Sequence, residues 1–185
     1  MPKITIVTMA RLNRALGRVV CELSFHGLWD ETLQKVDVYL VPIGGCYGWQ
    51  CYGGSGEICI PALSMSRLRD HFTGGHVSLA NLLRHEYAHA LADTHRGLIR
   101  SQQFRQAFGT HHDDEDEWEY DQTFHVSEYA ASCASEDFAE VFMLYLRHNG
   151  KLPMWNATPA IRDKWRFMQR ICRLVKRGAT RWPKL

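Results

Sequence analysis

The stretch RHEYAHALADTHRG, residues 84–97, constrains this chain more than any other. His85 and His89 are four apart, so on an α-helix they lie one turn apart on the same face. Two imidazoles placed that way can grip one ion together, and zinc accepts imidazole nitrogen at about 2.0–2.1 Å. Glu86 is rotated about 100° from His85 by the 3.6-residue turn. That puts it beside the ion, near a bound water, where it can serve as general base. HExxH is a short pattern that also occurs by chance on surface helices. Here it sits in an apolar run, with Leu79, Leu82, Leu83, Ala90 and Leu91 at helical spacing behind Ser78, a good N-cap. The segment therefore reads as a helix holding one Zn2+ per chain.

A catalytic zinc keeps three protein ligands and one open position for water. Two residues compete for the third place. His95 falls ten residues after His85, the spacing of the elongated metzincin motif HExxHxxGxxH, but Ala92 stands where that motif has glycine. Without a ligand role, His95 is a helix C-terminal residue interacting with open carbonyls. The other candidate is Glu136, within SEYAASCASEDFAEVF, residues 127–142. Its plain alternative, shared with Glu140, is a solvated helix face.

That second stretch resembles the glutamate helix of gluzincins, above all the lethal factor and Pro-Pro endopeptidase group of bacterial zinc peptidases. In that group a tyrosine stands seven residues before the ligand glutamate and an acidic residue four after it. Tyr129, Glu136 and Glu140 have those spacings. The resemblance covers roughly residues 78–146 and is specific in its two helices. It implies Glu136 as third ligand, Glu140 as a carboxylate steadying an imidazole, and Tyr129 as a phenol aimed at the developing oxyanion. It also implies a substrate strand just before the metal helix, here Gly56, Glu57, Ile58, Cys59 and Ile60, whose edge would add an extended peptide. An ordinary interior strand is the alternative for that segment.

The rest of the chain reads as one α+β domain: zincin-like, a minimal gluzincin with a small mixed sheet, and a cleft flanked by the HExxH helix and the glutamate helix. The upper part would span about 1–95 and the lower part about 96–185. Apolar spacing predicts a helix over 8–24, and VDVYLVPI, 36–43, reads as a strand. GGCYGWQCYGGSG, 44–56, reads as a loop or hairpin tip rimming the cleft, and EICIPA, 57–62, as a short strand. Further helices are expected over 101–109, over 135–150 with Ser135 as cap, and over 159–178.

Charge is uneven. Residues 151–185 hold ten Lys/Arg and one Asp, whereas DDEDEWEYD, 113–121, has seven acids. The acidic segment 111–122 reads as a loop. His111, His112 and His125 flank it; they suggest a solvated lid in preference to a second metal site. Cys133 reads as a small packed thiol, with zinc ligation as its alternative, and Cys46 with Cys51 as a pair able to bridge only in an oxidising compartment. The basic helix could meet nucleic acid or an anionic surface through 159–184, but a charged outer face on a core-capping helix is favoured.

The sequence thus predicts a zinc-dependent endopeptidase, a hydrolase acting on a peptide or protein substrate. The alternatives are a DNA- or membrane-associated metalloprotease using the basic helix, and an inactive zincin-like binding module. No apolar run approaches the ~20 residues of a membrane span. No signal-peptide pattern opens the chain, so a cytoplasmic location is expected, with export as a toxin or effector by another route left open.

Overall fold

The computed structural model describes residues 6–42, 48–52, 55–62 and 78–183. Helix α1, Met9–Phe25, opens on Thr8, whose side chain accepts from the Arg11 N–H, and buries Leu12, Val19 and Leu23. A 3-10 turn, Leu33–Lys35, leads into strand β1, Asp37–Val41. Strands β2, Gly48–Tyr52, and β3, Ser55–Pro61, follow.

The three strands form one mixed sheet in the order β1-β3-β2. β3 runs parallel to β1, from Asp37↔Glu57 to Val41↔Pro61, and antiparallel to β2, with Trp49↔Ile58 and Gln50↔Glu57 in register. Two expectations are corrected here. The glycine-rich stretch is not wholly a loop, because its Trp49–Tyr52 segment pairs as a strand. The segment Gly56, Glu57, Ile58, Cys59, Ile60 is not an edge strand. Ile58 and Ile60 are fully buried, and a strand carrying that much apolar surface is covered by becoming the middle of the sheet. Both its flanks are taken by β1 and β2, so it offers no open ladder to a peptide.

Helix α2, Leu79–Thr94, is the pillar of the molecule. Ser78 caps it by accepting from the Asn81 N–H, and twelve of its sixteen residues are buried. α3, Arg96–Ile99, and α4, Gln102–Phe108, continue the chain, α4 ending at Gly109 with φ +86°. After the irregular acidic segment and a 3-10 turn at Tyr129–Ala131, α5 spans Ala134–Arg147 and α6 spans Pro159–Lys176. The N-cap of α5 is Cys133 and not Ser135; no side chain caps it. Thr158 caps α6, with proline in its first turn, where a missing N–H costs nothing.

The fold is α+β, with three strands and six helices among the described residues. Its core is one apolar cluster. Leu83, Tyr87 and Leu91 of α2 join Phe138 and Phe142 of α5, and Phe167, Met168 and Ile171 of α6. The α2–α5 contact is the most extensive between helices, and it brings the two site-bearing helices together. Among the described residues no helix is long and apolar enough to cross a membrane.

Candidate metal centre

Helical spacing puts His85 and His89 on one face of α2, and their side chains converge: the two Nε2 atoms lie 3.2 Å apart. Glu136 reaches the same point from the first turn of α5, where the helix dipole favours a carboxylate. Its Oε2 is 3.0 Å from His85 Nε2 and its Oε1 is 3.6 Å from His89 Nε2. These three residues form the only metal-competent cluster of His, Cys, Asp and Glu among the described residues.

The donor set suits a small divalent cation. A tetrahedral ion with bonds of about 2.0–2.1 Å spaces its ligand atoms about 3.3–3.4 Å apart, and the separations here are 3.0, 3.2 and 3.6 Å. Glu136 Oε2 is also buried, 3.0 Å from His85 Nε2, and a cation would take the place of the proton between them.

A second layer holds the donors in place. Glu140, one turn beyond Glu136, sets Oε1 3.0 Å from His85 Nδ1. A carboxylate accepts, so Nδ1 donates to Glu140, and Nε2 is the ring nitrogen turned toward the cluster. The other oxygen of Glu140 accepts from the Ser127 hydroxyl at 2.8 Å, and Ser127 Oγ in turn accepts from the Ala130 N–H. Burial opposes protonation of His85, but the carboxylates of Glu136, Glu140 and Glu86 outweigh it and hold the ring up to about 10. Burial likewise opposes ionisation of Glu136, yet His85 and His89 keep it below the usual carboxylate range. The site as a whole favours positive charge at its centre.

Glu86 and Tyr129 face the same cleft, a cavity of about 420 Å³ that also touches Gly48, Trp49 and His112. Glu86 Oε2 accepts from the Trp49 main-chain N–H at 2.8 Å. The Tyr129 ring lies 5.7 Å from that of His85. Burial, and then the charges of Glu136, Glu86 and Glu140, raise its phenol, so Tyr129 keeps its proton and remains a donor.

His95, the competing third ligand, is elsewhere. It is the C-cap of α2, and its Nε2 is 2.9 Å from Asp30 Oδ2. His111 is exposed and His125 is buried against Trp118; neither joins the cluster. Cys133 sits 3.2 Å from the Ser135 hydroxyl. Cys46 lies outside the described residues, and with it the Cys46–Cys51 pairing.

One feature of the cleft is absent from the motif reading. The Trp49 indole donates to Asp93 Oδ2 at 2.8 Å, and Arg100 binds Asp93 Oδ1 at 3.1 Å. Arg100 also holds Asp113 Oδ2 at 2.7 Å, while Asp113 Oδ1 accepts from His112 Nδ1 at 3.0 Å. This chain of polar contacts ties β2, α2 and the start of the acidic segment into one wall. A larger cavity, about 810 Å³ between Phe108, Trp118, Phe124 and Lys164, contains none of the motif residues.

Compared with protein-family models, with curated proteins and with solved structures, the chain finds no match in any of the three.

Proposed function

We propose that the protein is a zincin-like, zinc-dependent endopeptidase. The observation that carries this reading is the convergence of His85, His89 and Glu136 within 3.6 Å of one another, with Glu86 and Tyr129 lining the same cleft. His85, His89 and Glu136 would hold the ion, and Glu140 would fix the His85 tautomer. Bound there, zinc lowers the pKa of its water toward ~7 and polarises a carbonyl.

The chain's own groups do the rest. Glu86 takes the proton of the attacking water on its carboxylate and passes it to the leaving amine. The Trp49 N–H fixes one of its oxygens, which leaves the other for that proton. Tyr129 donates its phenolic hydrogen bond to oxygen as negative charge develops there. The arrangement needs no covalent enzyme intermediate, because the nucleophile is water.

Metal analysis with a peptide-library cleavage screen tests the reading. The wild-type protein should bind one zinc and cleave. Glu86→Gln should keep the zinc and lose cleavage, and Glu136→Ala should lose both. A His95→Ala variant that alone lost the metal, or a Glu86→Gln variant that still cleaved at the wild-type rate, would overturn it. A binding module has no use for a general base, and it would show zinc without cleavage in every variant that keeps the metal.

A further inference from the structure

Helix α6 carries a row of charge that the proposed reaction does not use. Its inner face, with Ile161, Trp165, Met168, Ile171, Cys172 and Val175, is buried in the core. On the outer face Arg162, Arg166, Arg170, Arg173 and Arg177 are all exposed. Steps of four, four, three and four keep them in a single line along the helix. At 1.5 Å per residue that line is about 22 Å long.

Little inside the protein neutralises it. Arg166 pairs with Asp163 at 2.7 Å, an exposed i,i+3 contact of small worth. Arg162, Arg173 and Arg177 make no ion pair among the described residues. Like charges one turn apart repel, so the row adds little to the stability of the helix that carries it.

The C-terminal half of the row also frames a small cavity, about 210 Å³, between Arg170, Arg173, Arg177 and Trp182. Trp182 is fixed there. Its indole donates to the Leu98 carbonyl at 2.7 Å, and its ring lies 5.7 Å from Phe167. The Arg170 guanidinium stands 4.6 Å from the Trp182 ring centroid. An anchored aromatic plate and three guanidiniums thus face one cavity.

We propose that this outer face of α6, with Trp182, binds the phosphodiester backbone of a nucleic acid. A guanidinium holds phosphate oxygens two at a time. A line of such groups matches a polymer with regularly repeated negative charge, and binding gains from the counterions it releases. Trp182, packed against Arg170, holds that guanidinium in place within the row. A bilayer fits less well: an interfacial helix inserts its apolar side, and here that side is already in the core. The inference is independent of zinc and of Glu86.

Fluorescence anisotropy of the full chain with labelled single-stranded and duplex DNA of about 30 nucleotides, from about 50 to 200 mM salt, tests it. Affinity should fall with salt, with a log–log slope of about −3 or steeper, the sign of four or more phosphate contacts. A triple variant, Arg162→Gln, Arg173→Gln and Arg177→Gln, should weaken binding at least tenfold at low salt. It should flatten the slope by about 2 while the thermal unfolding curve stays in place. An equal charge change elsewhere, Arg14→Gln, Lys35→Gln and Lys151→Gln, should leave binding within about twofold, and Glu86→Gln should bind as wild type. Absence of binding at low salt overturns the proposal. So does equal loss in the two triple variants, or tighter binding to phosphatidylserine vesicles than to either DNA.

Discussion

At the scale of single residues, the cleft assigns distinct work to groups a few ångströms apart. Glu86→Gln keeps the Trp49 contact but cannot accept a proton, so kcat should fall by about 10²–10⁴ with zinc content unchanged. Under the proposed mechanism Tyr129→Phe removes one donor to the oxyanion. Its kcat should drop about 10²–10³-fold with KM nearly constant, measured on the best peptide from the screen. The motif residues were readable because their spacing is local. His85, Glu86 and His89 share one helix, and Tyr129, Glu136 and Glu140 lie within twelve consecutive positions. His112 was not readable as a cleft residue, and Trp49 was legible only as part of a stretch expected to rim the cleft. Their roles come from contacts such as Trp49 with Asp93, 44 positions apart, which only the assembled fold creates. His95 was ambiguous from spacing alone, and Asp30, 65 positions away, is what occupies it.

At the scale of elements, the sheet steadies Glu86, the proposed base, through Trp49, and the two helices carry the candidate metal ligands. Helix positions followed the apolar period closely, because α1 and α6 each bury one clear stripe. β2 was hidden by its glycine neighbours, although Trp49, Gln50, Cys51 and Tyr52 pair as a strand once β3 is there to receive them. Gly48 opens β2 with φ +91°, and a Cβ there would meet Glu86 Oε2 at 3.2 Å. Gly48→Ala should therefore cost about 1–2 kcal/mol of stability. It should lower kcat about 10- to 100-fold by displacing Glu86, the proposed base. The packing of α1 on α2 rests on a different bond. Arg84, almost wholly buried, makes two 2.7 Å contacts with the carboxylate of Glu22. Burial opposes ionisation of Glu22, but Arg84 and Arg18 win and hold its pKa below 4.5. Stability from this pair is present above 4.5 and is lost as pH falls through the depressed value. Glu22→Gln should cost about 3 kcal/mol at pH 7, because it strands a buried guanidinium. Urea titrations should show that cost shrinking as the pH drops below 4.5.

At the scale of the whole molecule, the proposed ion bridges α2 and α5, the helix pair with the largest mutual contact. A ligand that binds only the folded state stabilises it by about 2.7 kcal/mol at a hundred times its dissociation constant. For a chain of this size that is roughly 5–10 °C in Tm. Calorimetry with zinc and then with a chelator should show a loss of that order in wild type and in Glu86→Gln, and none in His89→Ala. The charge distribution at this scale was visible at once, since the acidic segment and the basic helix are contiguous in sequence. The buried inner face of α6 agrees with the charged outer face expected of a core-capping helix, and the fold adds that five arginines stand there in one line.

The hydrogen bond from residue 49 to Glu86 is given by the main chain. Nineteen side chains can therefore come and go at that position without deleting it, and proline alone, having no N–H, takes it away. The aim of the Glu86 carboxylate is thereby insulated from drift in the residue that aims it, while its glycine neighbour enjoys no such latitude. A descendant of this chain could lose the tryptophan and keep Glu86 where it is, provided the strand beneath it still pairs.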